Sequence, residues 1–316
     1  MGQLVKLQDY ISRYELDIYR YPPRFIKLKR EQWQKLKHAW ETEQWPIYEE
    51  ELEEMNLSFE KSSPKFIQKL KMVFNKQNEI NSIIKEDDYI PTSDEGINIF
   101  QKQIERPQNL EELKNLFLQE IFETQMIWAS STITEKSYID SSYYREEKIK
   151  LFLQRFPDTF LLFYRPVFLI NRALFESEII LLSPTDLYCI SFLEAEDDTV
   201  FVGSDERFWE KRGSNETSKI VNPLISLTRT ENVIRKLLQA HNIDFPIQKI
   251  LISRSGYIDY SLIPFGTTIV DKRTFRTWFE TSRKMPSPLK HMQLKVAKTL
   301  LDYCHTVSVK RQEWSF

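Results

Sequence analysis

The sequence predicts a mixed chain of α+β or α/β class: a helical N-terminal region, then a mixed sheet flanked by helices, then C-terminal helices. Three observations lead there. Before Gly203 the only glycines are Gly2 and Gly96, set among Lys, Glu, Gln and bulky aromatics, a composition that favours helix. After Pro157 the texture changes to short β-branched and aromatic runs separated by turn residues. At 316 residues, the chain has room for two folded units of about 150 residues each. The expected organisation is a helical region over 1–135, an α/β domain over 136–270, and C-terminal helices packed on it over 271–316.

Phe25, Leu28, Trp33, Leu36 and Trp40 recur at helical spacing after Pro22-Pro23 and predict an amphipathic helix. Its Lys27, Lys29, Arg30, Lys35 and Lys37 are interrupted by Glu31, Glu41 and Glu43, which suits a solvated face. A second helix is expected from Pro64 through Phe66, Leu70 and Phe74, and a loop over 86–107. Asn109 stands three residues before Glu112, a capping-box pattern, and Leu110, Leu113, Phe117, Ile121 and Met126 carry one face on to Trp128. The Ser/Thr-rich stretch 129–142 reads as a hinge into a helix over 143–156. Strands are expected over 160–170, 178–182, 187–193 and 199–202, with the turn Ser183 to Asp186 joining the middle two. Asn222 and Pro223 then supply an N-cap and first turn for a helix through Leu238, and 247–253 is a buried strand. A strand over 267–270, an Asp271-capped helix carrying Phe275, Trp278 and Phe279, and a last helix from Pro288 to Tyr303 complete the expectation.

Composition narrows the chemistry. Lys and Arg total 44 against 46 Asp and Glu, so there is no global positive field and a nucleic-acid site must be a local basic surface. The two cysteines, Cys189 and Cys304, lack metal-binding spacing, and the four histidines form no HExxH pair, which argues against a zinc enzyme. With no signal-peptide pattern and no long apolar run, the expected location is the cytoplasm, without a membrane partner.

The stretch from Glu176 to Trp209 carries more specific landmarks. Glu178 precedes a short strand, Ser183-Pro184 makes the turn, Gly203-Ser204 with Arg207 and Trp209 follow, and Asn222-Pro223 opens a helix. In kind and spacing this set resembles the nuclease-related domain (NERD) family, itself similar to the PD-(D/E)xK nucleases. The resemblance covers roughly the second half of the chain, and it implies a restriction-endonuclease-like mixed sheet. It also implies a metal-dependent phosphodiesterase site, with Glu178 as catalytic residue and metal ligand and Mg²⁺ as cofactor if the chain is active. Trp209 reads as a packing anchor.

The family's E-x-K pair falls here on Ser191 and Leu193, and its helix-start glutamine on Ser226. Two carboxylates on neighbouring strands hold the divalent ion in such sites, and a lysine on the same strand face orients the nucleophile. Ser191 and Leu193 offer neither. Glu194, on the opposite strand face, needs a β-bulge to substitute, and Lys148, Lys150 and Arg172 are the nearest replacement cations in sequence. Glu147, beside Glu146 on the preceding helix, is a weaker catalytic candidate, and Arg207, Asn222, Ser191 and Ser226 are candidate binding residues. The expected function is therefore a catalytically impaired nuclease-related protein that binds nucleic acid or protein. The alternatives are an active Mg²⁺-dependent nuclease with a rearranged site, and a scaffold whose N-terminal helices bind a protein partner.

Overall fold

The computed structural model describes residues 1–42, 106–196, 198–213, 216–261, 263–284 and 287–311. The helix expected from Pro64 and nearly all of the loop expected over 86–107 lie outside the described residues. Two compact units are present, one of Met1–Lys29 with Ile121–Phe316 and one of Arg30–Glu120. The expected boundaries at 135/136 and 270/271 therefore both fall inside the first unit.

In chain order the strands are β1 (Gln3–Leu7), β2 (Glu135–Lys136), β3 (Leu161–Tyr164), β4 (Val167–Ile170), β5 (Ala173–Glu176), β6 (Ile179–Leu182) and β7 (Leu187–Phe192). They continue as β8 (Val200–Val202), β9 (Phe208–Arg212), β10 (Thr217–Val221), β11 (Ile247–Ile252), β12 (Tyr257–Asp259), β13 (Thr267–Val270) and β14 (Val309–Lys310). The helices are α1 (Tyr21–Glu41), α2 (Leu110–Trp128), α3 (Glu147–Arg155), α4 (Pro223–Ala240), α5 (Phe275–Arg283) and α6 (His291–Asp302).

The main sheet has six strands in the order β1-β3-β6-β7-β11-β13. β3, β6 and β7 pair antiparallel, whereas β1 joins β3, β11 joins β7 and β13 joins β11 in parallel. Helix α4 supplies the crossover that a parallel β7–β11 pair requires. The protein is thus mixed α and β with a mixed multi-strand sheet, as the composition predicts. The first residues depart from the all-helical expectation, because β1 is a wholly buried edge strand of this sheet.

Each face of the sheet has its own cover. Leu162, Ile179, Leu181, Ile190, Ile250, Ile252 and Val270 bury one face against Ile149, Phe152 and Leu153 of α3, Phe122 and Met126 of α2, and the aromatic residues of α5. The other face lies under α4, which also packs on α6. Burying each such Leu, Ile or Phe contributes about 1.5–3 kcal/mol relative to exposure. Two fully buried glutamines tie the edges down: Gln125 accepts from Leu4 N and donates to Gly2 O, and Gln293 donates to Thr159 O and Leu182 O.

Three expected elements differ in detail. The strand expected over 160–170 breaks into β3 and β4, because Arg165 sits at φ 47 ahead of Pro166 and turns the chain out of the sheet. The helix expected over 143–156 is a 3-10 turn at Ser141–Tyr144 followed by α3. Asp271 does not cap α5: it organises the turn before it, accepting from Arg273 N, and Thr274 holds the cap position.

A second sheet, in the order β10-β9-β8-β12, fills the chain between β7 and α4 and accepts β12 from beyond β11. Its anchor is Trp209, 1% exposed, whose ring lies 5.2 Å from that of Tyr260 and whose Nε1 donates to Ser204 O. A Cβ at position 203 would come within 2.9 Å of Tyr260 and 3.0 Å of Trp209, so this approach requires glycine. The Gly-Ser and Arg-x-Trp landmarks are thus one packing unit.

In the second unit the expected capping box is present. Asn109 Oδ1 accepts from the backbone N–H groups of Glu111 and Glu112, and the Glu112 carboxylate reaches back to Gln108 N. Trp33 packs on Phe117 at 5.2 Å, and Trp40 Nε1 donates to Pro107 O. Among the described residues no helix is long and apolar enough to cross a membrane.

Candidate functional site

The residues singled out by the sequence gather at the C-terminal end of β7 and divide between its two faces. The pairing of β6 with β7 ends at Ile179 and Ile190, and the register continued by one residue sets Glu178 across from Ser191. Cross-strand partners share a face, so the Glu178 carboxylate and the Ser191 hydroxyl point to the same side, that of Cys189 and α4. Thr230 of α4, fully buried, accepts the Glu178 backbone N–H at its Oγ1 at 3.1 Å and fixes where β6 begins. The Glu178 side chain is half-buried and makes no ion pair among the described residues.

Ser226 lies one helical turn before Thr230, but its hydroxyl donates to Pro223 O at 3.0 Å within its own helix. Asn222 is equally committed. Its Oδ1 caps α4 by accepting from Leu224 N, and its Nδ2 donates to Ser204 O and Glu206 O, so it fastens the Gly203–Arg207 loop to the helix start. Both expected binding residues are thus engaged in holding the start of α4 and its entry loop. Arg207 is exposed, stands over the Phe208 ring at 5.5 Å, and has no acidic partner among the described residues.

Deeper along the same face, Lys249 sits beside Cys189 in register and bonds Glu231 of α4 at 2.9 Å, while Arg235 reaches the other oxygen of Glu231 at 2.7 Å. Burial works against the Glu231 charge, but the bonds from Lys249 and Arg235 prevail and hold its carboxyl below the ordinary value. Burial, and then the Glu231 charge, push the Cys189 thiol far up, so it is no nucleophile. The sequence offered no signal for Lys249, which reaches from β11 to the i,i+4 pair Glu231 and Arg235 of α4.

On the opposite face Glu194 follows Phe192, as strand alternation requires. It bonds Arg254 Nε, and its second oxygen lies 3.7 Å from Lys148 Nζ. Arg254 also reaches Glu147 at 3.3 Å. Both cations stand over the Phe192 ring, Lys148 at 5.7 Å and Arg254 at 6.0 Å. Although burial opposes its charge, the two carboxylates raise the Arg254 pKa above its ordinary value. Ser142, Arg145, Glu146, Glu147, Glu194 and Arg254 line a hollow of about 450 Å³. Glu147 and Glu194 are thus brought together, but around an arginine rather than beside Glu178. Lys150 lies over the Phe122 ring, and Arg172 is at the tip of the β4–β5 turn, so neither serves as a replacement cation at Glu178.

Among the described residues no group of three His, Cys, Asp or Glu side chains converges to hold a metal ion. Glu178 facing Ser191 does not form the pair of carboxylates that Mg²⁺-assisted hydrolysis calls for, so the residues do not fit that cofactor.

No family model matches the chain. No solved structure matches it. Among curated proteins, a 43-residue stretch is 63% identical to part of an RNA 2',3'-cyclic phosphodiesterase of Geobacillus stearothermophilus. That stretch is 14% of this chain and 14% of the relative.

Proposed function

We propose that this chain is a nuclease-related module that binds nucleic acid without hydrolysing it. The succession α3, β3, β6, β7, α4, β11 supports the reading, because a helix, three antiparallel strands, a crossover helix and a parallel strand make up the restriction-endonuclease-like core that the landmarks imply. The observation that carries it is the register of β6 on β7, which, continued one residue beyond the pair Ile179 and Ile190, sets Glu178 against Ser191. A hydroxyl and, two residues on, the isobutyl group of Leu193 occupy the strand face where cleavage needs an acid and a cation. Nearby on the opposite face, Glu194 is paired with Arg254 and Lys148, and Glu147 with Arg254. Two unpaired, buried or half-buried thiols suit the reducing cytoplasm.

The test incubates the purified full-length protein with single- and double-stranded DNA, RNA, and RNA ending in a 2',3'-cyclic phosphate, the bond class in the relative's name, with Mg²⁺ or Mn²⁺. Binding by fluorescence anisotropy with no product above background is the expected result. Metal-dependent cleavage abolished by Glu178→Ala would overturn the non-hydrolytic part of the reading, and the absence of binding to every probe would overturn the rest.

A further inference from the structure

The segment 304–311, which follows α6, crosses three stretches that lie far apart in sequence. His305 N donates to Val167 O of β4, Val307 N to Asp9 O beyond β1, and Arg311 N to Thr134 O, at 2.7, 2.7 and 2.9 Å. The pairing of β14 with β2 adds to these bonds, as do Ser137 Oγ donating to Val307 O at 2.6 Å and Ser308 Oγ to Glu135 Oε2 at 2.7 Å. Apolar burial is what the segment lacks. No residue of 304–311 is buried, and Val307 and Val309 are 53% and 44% exposed. A stretch held by hydrogen bonds with few buried side chains belongs to the least stable parts of a fold.

Beneath it lies a group that opposes closure. Lys6 of β1 is 0% exposed despite its charge, and its Nζ donates to Glu15 and, at 2.7 Å, to Thr306 Oγ1 of the segment. The Thr306 hydroxyl is in turn 3.4 Å from both oxygens of Glu15. An ammonium has three protons to donate, so one of them lacks an acceptor among the described residues. Laying Thr306 over Lys6 therefore takes a cation out of water for an incomplete set of bonds, and a buried ion pair offsets its desolvation only when those bonds are complete. With the segment lifted, Lys6 and Glu15 regain water.

From these two observations we infer that 304–311 is a strap that opens as one unit on the otherwise folded protein, and that burial of Lys6 biases it towards opening. It stands independently of the nucleic-acid reading. The consequence nevertheless reaches the candidate site. When the strap lifts, β4 keeps the bond from Leu169 N to Tyr303 O but loses the one at Val167 O and the bridge between Phe168 and Cys304. The β4–β5 hairpin is then held chiefly at its base, where Ser177 N and Oγ donate to Pro166 O beside Glu178. The strap thus sets how firmly the approach to Glu178 is fixed.

The experiment is hydrogen exchange of the full-length protein, read by NMR at the amides of His305, Val307 and Arg311 with those of β3 and β7 as reference, in the wild type, Lys6→Met and Thr306→Val. In the wild type the three strap amides should share one protection factor, well below that of the two strands. Methionine keeps the bulk of Lys6 without its charge, so Lys6→Met should raise that shared protection several-fold. Thr306→Val takes an acceptor from a buried ammonium and should lower it several-fold. Protection graded along the chain, lowest at Arg311 and highest at His305, means fraying from one end and overturns the single unit. Protection equal to that of β3 and β7 overturns opening altogether. Any order other than Lys6→Met above wild type above Thr306→Val, or a Lys6→Met chain that does not fold, makes the ion pair a brace and overturns the part given to Lys6.

Discussion

Ser191 and Gly203 show how much a single side chain decides in this fold. Ser191, 9% exposed, stands across from Glu178 when the β6–β7 register is continued one residue beyond Ile179, so Ser191→Glu builds the carboxylate pair that this sequence lacks. Divalent ions should then raise the thermal midpoint of Ser191→Glu while leaving that of the wild type unmoved, because an ion that binds only the folded state stabilises it. Equal responses to Mn²⁺ in the two proteins would show that the register argument is wrong. Gly203 presents the reverse case, a position where nothing can be added. The methyl group of Gly203→Ala would meet the rings of Tyr260 and Trp209 at 2.9–3.0 Å, and overpacking of this kind costs about 1–3 kcal/mol. Urea denaturation should reveal that loss, and an unchanged midpoint would mean that the rings shift freely. At this scale much was legible in the sequence, since strand alternation alone separates Glu194 from Ser191 and Leu193. Arg254 was not, because the partner of Glu194 arrives from beyond β11 and no local pattern announces it.

Elements were legible where their own residues fix them and illegible where neighbours do. Helix α4 starts where Asn222 and Pro223 indicate, because the cap bond to Leu224 N is local. Of the small sheet, β8 was legible as the strand expected over 199–202, beside the Gly-Ser and Arg-x-Trp landmarks, whereas Phe208–Arg212 and Thr217–Val221 are largely charged and polar and are made strands by pairing with each other. The α4–β11 junction yields a pH-dependent prediction. Glu231 has a folded pKa below the ordinary 4.5, so the stability it contributes is present above that value and is lost as pH falls through the lowered one. Glu231→Gln should therefore cost about 1–3 kcal/mol near neutrality, leaving Lys249 11% exposed without its carboxylate, and the gap from wild type should close in acid. Melting curves that remain equally separated from neutrality down to about pH 3 would exclude this role.

The whole molecule was least legible, because its unity depends on contacts between residues more than a hundred positions apart. Gln3–Leu7 is a short apolar run beside a Lys- and Glu-rich helix, and nothing within it tells of a partner at Leu161–Tyr164. The core makes the consequence measurable. Leu4 and Leu7 of β1 and Phe122 and Met126 of α2 are fully buried in the same cluster as Ile190 and Ile252, and Phe275, Trp278 and Phe279 close it from the C-terminal side. A fragment of residues 136–270, the domain expected from the sequence, lacks all seven. The four fully buried side chains alone contribute on the order of 6–12 kcal/mol, comparable with the entire stability of about 5–15 kcal/mol typical of a folded domain. The fragment should therefore melt without a cooperative transition in circular dichroism, whereas the full chain melts sharply. Adding residues 1–29 and extending through 121–316 should restore cooperativity even if the unit of Arg30–Glu120 is replaced by a flexible linker, because that unit supplies none of these core residues. A cooperative melt of the 136–270 fragment at the midpoint of the full chain would show that β1 and α2 merely decorate a sheet able to stand without them.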